Sequence, residues 1–423
     1  MWAAAVFAGV AVLIGIGRSR RLEGAFDPMH PLVFPVIYVA VATLAPVMWI
    51  YGRERDLGYL NRTVISEQTP LLMALAVAGF TMGALMQFRR PVPPQIARDG
   101  ATLALTGRLV FLLPLALAAY GFVTNSVLTR GEGQGQRSLM DSLDAAGFMF
   151  APAAVLLIAA GRSQCKRLFV GVDWLGIVTL VTLLGLNGRR GSAIAIILVV
   201  IGVLVRKKNA KSRLLPVIMG MGVLIWFAYS VVVYRSEATG GEHELSGLET
   251  LLRDTGSVAF TTGVTVGFEE RLGGSTIVAG VLRQAPSPIV NLFLGPPDDT
   301  GAMEFRRLFR VDANNGYGYS IPADGVLNFG TVGAFLLPFF FGLFAAWAYS
   351  RSDLNASYSR QLVYFVFVAT LPFAWRSDTL GSIKGVLYPS ILVFLALVMA
   401  RTFYSYKHPR QQESVHRRPV RVR

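Results

Sequence analysis

The chain has 423 residues, of which 53% are hydrophobic and only 15% are charged, with a formal net charge of +15. A soluble domain averages about 25% charged residues, so this composition indicates that the lipid bilayer is the main solvent. The basic residues lack interleaved aromatic side chains, which argues against nucleic acid and favours topology and anionic lipid headgroups as the reason for the charge. With one cysteine and four scattered histidines, an intrachain disulfide, a thiolate metal site and a zinc cluster are excluded.

Apolar runs recur along the whole chain. A membrane-spanning helix needs roughly 17–25 apolar residues, and about eleven runs approach or reach that length. We therefore predict an all-α polytopic integral membrane protein with about eleven transmembrane helices. No positive segment precedes the first run, and arginines follow it, so we expect a span rather than a cleavable signal peptide. The predicted spans are 2–17, 31–51, 70–88, 101–124, 146–161, 168–187, 192–205, 214–234, 327–349, 361–375 and 385–404.

Basic residues cluster in every second connection between these runs. Because cytoplasmic loops carry the excess of Lys and Arg, the basic connections should lie together in the cytoplasm. The N-terminus is then outside, and the basic tail 405–423 is cytoplasmic. The basic connections are 18–21, 89–98, 162–167, 206–213 and 351–360.

The external connection 235–326 is far longer than the others and is predicted to form a large extracytoplasmic loop subdomain. Ser246 and Glu249 have capping-box spacing before a helix near 247–271. A second amphipathic stretch, 275–294, carries apolar residues at helical intervals and is interrupted by two prolines. We expect this second helix to lie along the membrane surface.

Arginines also fall on the predicted external side, where topology does not require positive charge, and six of them stand out as candidates for a site. Two of them lie in the turn 187–192, whose glycines would let the backbone approach a ligand closely. Guanidinium groups match the oxygens of phosphate, so we interpret the six as an anion-binding set. The simpler alternative is that they are interfacial side chains reaching for the membrane surface. The six are Arg189, Arg190, Arg235, Arg306, Arg307 and Arg310.

Amides, tyrosines and a carboxylate gather where the long loop reaches the next span. Amide groups and aromatic faces suit sugar hydroxyls and apolar sugar faces, and Asp324 is a candidate general base. Two alternatives stay open: a turn-rich loop end, and a carboxylate that is merely favourable at a helix N-terminus. The candidate substrate-binding residues here are Asn314, Asn315, Tyr317, Tyr319 and Asn328.

No metal site is predicted. Glu54 and Asp56 form the nearest acidic pair, with a spacing that some metal-dependent membrane glycosyltransferases place in their first external loop. The flanking Arg53 and Arg55 would oppose a cation there.

Four motifs, in this order, resemble the oligosaccharide repeat-unit polymerases, the family that includes the O-antigen polymerases. They are the Gly-Arg-Arg-Gly turn at 188–191, the Tyr-Arg pair at 234–235, GVLRQAPSP at 280–288, and GYSIPAD at 318–324 leading into Asn-Phe-Gly at 328–330. The resemblance covers roughly residues 170–345, and the first half of the chain matches only as hydrophobic spans. The family often carries Glu where this chain has Asp324.

The resemblance implies a metal-independent glycosyltransferase of the membrane-embedded GT-C type, without a cofactor, in the bacterial inner membrane. It would transfer a growing glycan from polyprenyl diphosphate to a new lipid-linked repeat unit at the outer face of that membrane. The implied partners are polyprenyl-diphosphate-linked oligosaccharides, membrane lipids, a chain-length regulator and a flippase.

The predicted roles of the residues fit such a reaction. Arg189, Arg190 and Arg235 would hold the diphosphate as negative charge develops on it. Asp324 would accept the proton of the attacking sugar hydroxyl. The long loop would close over both lipids and exclude water.

Three other functions remain as alternatives. An O-antigen ligase shares the donor and would need a loop histidine near it, for which His243 is the only external candidate. A transporter or flippase for lipid-linked sugars would favour paired halves and buried polar residues across several spans, neither of which the sequence displays. The third alternative is a non-catalytic assembly protein.

Overall fold

A computed structural model describes residues 1–23, 26–53, 66–86, 99–123, 139–186, 190–207, 255–267, 272–282, 319–349 and 359–407, with single residues between 218 and 252 and Phe305. All regular elements in these ranges are helices. They are α1 (Trp2–Glu23), α2 (Phe34–Arg53), α3 (Thr69–Leu85), α4 (Gly100–Val123), α5 (Leu139–Gly161), α6 (Gly171–Leu186), α7 (Arg190–Lys207), α8 (Ser257–Val266), α9 (Ser275–Leu282), α10 (Ile321–Ala348), α11 (Ser359–Ala374) and α12 (Thr379–Lys407).

Five helices of the described ranges are long and apolar enough to cross a membrane: Trp2–Arg21, Phe34–Gly52, Gly100–Val123, Ile321–Ala348 and Gly381–Lys407. Further apolar helices are shorter than that criterion, among them α3, α6 and α8. The prediction of an all-α membrane protein is thereby confirmed in its coarse form. The count of about eleven spans stays a prediction, and most of the predicted span 214–234 lies outside the described residues.

Two helices begin well before the apolar runs that predicted them. α10 starts at Ile321 rather than at 327, because Ser320 caps it by accepting a hydrogen bond from the Ala323 N–H. α12 starts at Thr379 rather than at 385, because the carboxylate of Asp378 accepts from the Gly381 N–H. Capping residues are polar, so a search for apolar runs places both starts too late.

Glycines bring the backbones of α3 and α10 into direct contact. Gly79 and Gly83 of α3 lie against the carbonyl groups of Phe335 and Phe339, and Gly342 of α10 lies against α3 in return. Four-residue spacing of small residues allows this kind of close helix packing where lipid offers no hydrophobic driving force. The matching order of the contacts shows that the two helices run parallel.

α10 is two segments joined at Gly330, where φ is 64° and ψ is −152°, a conformation open to glycine. The chain turns so sharply there that Gly325 of the first segment contacts Gly333 of the second. The first segment, 321–329, therefore folds back against the second instead of continuing a straight span. It carries Asp324 and Asn328.

Two described helices belong to the long connection 235–326. α8 is buried against α2, α3 and α10, and it lies within the predicted helix 247–271. α9 falls in the predicted amphipathic stretch 275–294 and contacts α10 and α12. Both helices therefore pack on the bundle, and the predicted position of the second one along the membrane surface stays a prediction.

Helix ends that are far apart in the sequence meet at one side of the bundle. Asp27, between α1 and α2, bonds Arg206 near the end of α7 and Tyr349 after α10. Asp99, just before α4, bonds Lys407 at the end of α12. The charge pattern assigns all of these ends to the cytoplasm.

Another group of helix ends meets around α8 and the start of α10. Asp324 bonds Thr379 at the start of α12, and Ser257 at the start of α8 bonds Arg376 between α11 and α12. The charge pattern assigns these ends to the outside. The contacts thus group the ends as the charges do, and which group faces out of the cell stays a prediction.

Candidate functional site

The candidate site is the group of polar side chains around Asp324, here called the Asp324 cluster: Thr276, Tyr319, Asp324, Asn328 and Thr379. Thr276 belongs to α9, Tyr319 lies just before α10, Asp324 and Asn328 lie in the first segment of α10, and Thr379 is the first residue of α12. All five are buried. Buried polar groups normally have hydrogen-bond partners, so each group of the cluster can be followed to its partner.

The Asp324 carboxylate is 2% exposed and is held by neutral donors. Its Oδ2 accepts from the Thr379 N–H at 3.0 Å, and its Oδ1 accepts from Asn328 Nδ2 at 3.1 Å. A carboxylate has about four acceptor positions, so these bonds leave part of its capacity unused. Within the described residues no cation forms an ion pair with it.

Two hydroxyl groups adjoin this carboxylate without a hydrogen bond of ordinary geometry. They belong to Tyr319 and Thr379, and both are buried without another partner in the described part of the chain. Tyr319 lies just before α10, and burial raises its pKa well above the usual value, with the charges of Asp324 and Asp378 acting in the same direction. Tyr319 therefore keeps its proton and remains a donor. Its contact with the Asp324 carboxylate lacks good hydrogen-bond geometry, so a ligand oxygen that gave this donor a better acceptor would be favourable here.

A second layer of hydroxyls joins α8 to this site. Ser320 Oγ lies 3.0 Å from Thr261 Oγ1 and 3.3 Å from Thr262 Oγ1. One helical turn away, Ser257 Oγ accepts from Arg376 Nε at 3.1 Å. A half-buried guanidinium thus lies at the same helix junction as Asp324.

Three of the predicted site residues meet in this junction: Tyr319, Asp324 and Asn328. Asn328 was predicted to bind substrate, whereas its amide is bonded to Asp324 and Thr276 within the protein. The backbone of Arg190 begins α7, and its side chain lies outside the described part. The other predicted residues also lie outside it and their roles stay predictions: Arg189, Arg235, Arg306, Arg307, Arg310, Asn314, Asn315 and Tyr317.

The sequence analysis missed Thr276, Thr379 and Arg376. The two threonines lie among small and apolar residues, where a hydroxyl gives no periodic or charge signal. Arg376 could have been selected by the same criterion as the other arginines, because it also lies in a connection predicted to be external. The described residues contain no group of three His, Cys, Asp or Glu side chains that could hold a metal ion.

A second polar group, here called the Asp27 cluster, comprises the buried Asp27, Met29, Arg206 and Tyr364 and the half-buried Tyr349. Arg206 Nη2 and the Tyr349 hydroxyl donate to Asp27 Oδ2 at 2.7 and 2.6 Å, and the Met29 N–H donates to Oδ1 at 3.0 Å. The Tyr364 hydroxyl donates to the Met29 carbonyl at 2.6 Å. The charges of Asp27 and Arg206 are paired with each other inside the protein. This arrangement is typical of a structural ion pair and not of a ligand-binding site.

No protein-family model matches the chain, and no curated protein or solved structure matches it. Its function is therefore inferred from its residues and their geometry.

Proposed function

We propose that the chain is a membrane-embedded glycosyltransferase that polymerises lipid-linked oligosaccharide repeat units, as the resemblance to O-antigen polymerases implies. The observation that carries the proposal is the Asp324 cluster, where the 318–330 motif brings a buried carboxylate beside two hydroxyl donors. No cation of the described residues forms an ion pair with this carboxylate, and such a carboxylate is able to accept a proton. Hydroxyl donors next to it suit the oxygen of an incoming sugar.

The proposed step forms one bond and breaks one. A hydroxyl oxygen of the acceptor sugar attacks the anomeric carbon of the donor glycan, and the proton of that hydroxyl passes to Asp324. The bond between the anomeric carbon and the diphosphate oxygen breaks, and the diphosphate leaves with the electron pair. Tyr319 and Thr379 would hold the acceptor hydroxyl in line for this attack.

Negative charge grows on the departing polyprenyl diphosphate during this step. Preorganised guanidinium groups stabilise charge best where it develops, and this is the proposed role of Arg189, Arg190 and Arg235. Arg376, which donates to Ser257 at the start of α8, is proposed as a fourth guanidinium of this set. Arg306, Arg307 and Arg310 are proposed to bind the substrate from the long loop.

The proposal is tested with the purified protein in liposomes that contain lipid-linked repeat units and no ion gradient. A ladder of longer lipid-linked glycans is the expected product. Movement of the substrate across the bilayer without elongation would point to a transporter instead. Transfer to a lipid A core, abolished by His243→Ala, would point to a ligase, whereas polymerisation leaves the product lengths of His243→Ala unchanged.

The proposed roles of the arginines predict a loss of activity without a loss of protein. Arg189→Ala and Arg235→Ala are expected to abolish polymer while each protein remains stably inserted, because each removes a charge-assisted bond to the diphosphate. The measurement is polymer length on a gel beside the amount of protein in the membrane. Polymer of wild-type length and amount from either variant would show that the substituted arginine does not belong to the proposed site.

The proposed orientation can be tested with the native cysteine. Cys165 is exposed and lies in the connection 162–167, which we propose to be cytoplasmic. A membrane-impermeant maleimide should label it only in inverted vesicles. Gln68→Cys in a Cys165→Ser background marks the opposite side, because Gln68 is exposed before α3. Labelling of Cys165 from outside intact cells would show that the orientation is the opposite of the proposed one.

A further inference from the structure

A chain of hydrogen bonds runs from α9 to the Asp324 carboxylate. Thr276 Oγ1 lies 3.0 Å from Asn328 Oδ1, and Asn328 Nδ2 donates to the Asp324 carbonyl at 2.9 Å and to its Oδ1 at 3.1 Å. Thr276 and Asn328 are buried, so water does not compete for these bonds. The chain thus links the long connection 235–326 to the carboxylate that is proposed as the base.

The chemistry of the partners fixes the direction of this chain. Both Asp324 atoms beside Asn328 are acceptors, so the amide nitrogen must face them. The amide oxygen then faces Thr276, whose hydroxyl must act as the donor. A flipped amide would set an acceptor against two acceptors, so the Asp324 oxygens exclude it, and the Thr276 hydroxyl holds the remaining orientation by donating to Asn328 Oδ1.

The backbone ahead of α9 is what brings Thr276 to this position. The N–H groups of Leu272 and Gly273 donate to the carbonyls of Leu327 and Asn328 at 3.2 and 3.1 Å, where the first segment of α10 ends. Gly273 and Gly274 have φ values of 57° and 85°, a backbone conformation that favours glycine. The turn is therefore fastened to the end of the segment that bears Asp324.

We propose that Thr276 and Asn328 are positioning residues that orient the Asp324 carboxylate. This inference rests on the proposed function, in which Asp324 accepts the proton of the acceptor hydroxyl. With Oδ1 held by Asn328 and Oδ2 held by the Thr379 N–H, the carboxylate plane is fixed. The remaining acceptor positions of the carboxylate are then available to the hydroxyl that is to lose its proton.

Removing the Thr276 hydroxyl should loosen this arrangement without removing the base. Asn328 Oδ1 would lose its donor, and the amide would gain freedom to rotate away from Asp324. Mutating a residue that orients a reactive group typically lowers activity about 10- to 100-fold, as the residues that hydrogen-bond to metal ligands illustrate. The loss should fall on the chemical step and leave substrate binding intact.

The test compares Thr276→Val with Thr276→Ser in liposomes that contain purified lipid-linked repeat units. Thr276→Val is expected to lower kcat by about 10-fold or more with little change in KM, and Thr276→Ser to restore most of it. Thr370→Val is the matched control, since among the described residues the buried Thr370 hydroxyl bonds only carbonyls of its own helix, at 2.9 and 3.2 Å. The control should keep the native kcat.

The outcomes separate this inference from the proposed function. Native kcat in Thr276→Val, or equal losses in the Val and Ser variants, would overturn the positioning role alone. Native kcat in Asp324→Asn would instead overturn the proposed function.

A variant that fails to insert is covered by a second measurement, the thermal unfolding of Thr276→Ala, Asp324→Asn and their combination in detergent. If the two residues are coupled, their shifts in unfolding temperature will not add. Additive shifts would contradict the chain of hydrogen bonds between Thr276 and Asp324.

Discussion

The Asp27 cluster and the Asp324 cluster both bury a carboxylate in the helical bundle, yet they satisfy it in different ways. Asp27 is paired with the buried guanidinium of Arg206 and with the hydroxyl of Tyr349. Asp324 is held by an amide and a backbone N–H, and within the described residues the two hydroxyls beside it lack hydrogen bonds of ordinary geometry. The paired carboxylate is suited to holding helices together. The other one retains the capacity to take a proton and to bind a hydroxyl.

The largest expected effect on stability comes from breaking the buried ion pair. Arg206→Met leaves the Asp27 charge without its cation and should destabilise the fold by about 3–5 kcal/mol, measured as a fall in the unfolding temperature in detergent. Lys407→Met is the matched control, because the Lys407 and Asp99 side chains are 55% and 12% exposed and the loss of this ion pair should cost less. An equal fall in unfolding temperature for the two variants would contradict the expectation that a buried ion pair stabilises the fold more than an exposed one.

The break in α10 should be the next most sensitive feature. Gly330→Ala forces a residue with a Cβ into the φ of 64° and ψ of −152° that folds the first segment back, at a cost of about 1–3 kcal/mol. Thermal unfolding measures the loss, and Gly17→Ala in α1 serves as control, because a Cβ there meets no atom within 4 Å. Unchanged stability of Gly330→Ala would contradict the folded-back segment.

Two tyrosine-to-phenylalanine changes compare the clusters directly. Tyr349→Phe removes a hydroxyl that bonds Asp27 at 2.6 Å and should cost about 1–3 kcal/mol. Tyr319→Phe removes a buried hydroxyl without such a bond, so the fold should keep or slightly gain stability while polymerisation slows. A large loss of stability from Tyr319→Phe would assign that hydroxyl to the structure instead of to the substrate.

The smallest effect is expected at the rim of the bundle. Lys407 donates to Asp99 at 2.6 Å, and this bond holds the pKa of Asp99 below its usual 3.8. The resulting stabilisation is complete above pH 3.8 and is lost as the pH falls below it. Because the Lys407 side chain is 55% exposed, Asp99→Asn should cost no more than about 1 kcal/mol at neutral pH. A larger shift in the unfolding temperature would contradict a solvated pair.

Apolar runs and charge alternation predicted much of the helical frame, because lipid requires long apolar helices and basic connections mark one side. They could not predict the break at Gly330, since glycine is also common in unbroken spans. They also could not find Thr276 or Thr379, whose roles depend on contacts with residues 52 and 55 positions away in sequence. Asp324 and Asn328 were found because they belong to a polar motif.

Polymerisation by Asp324→Asn tests the central claim most directly. The substitution keeps the shape of the side chain and one acceptor oxygen but removes the capacity to take the proton. With lipid-linked repeat units in liposomes, the rate of elongation should fall by at least about 100-fold, while the protein stays folded in the membrane. Elongation at the native rate by Asp324→Asn would contradict the assignment of this carboxylate to catalysis.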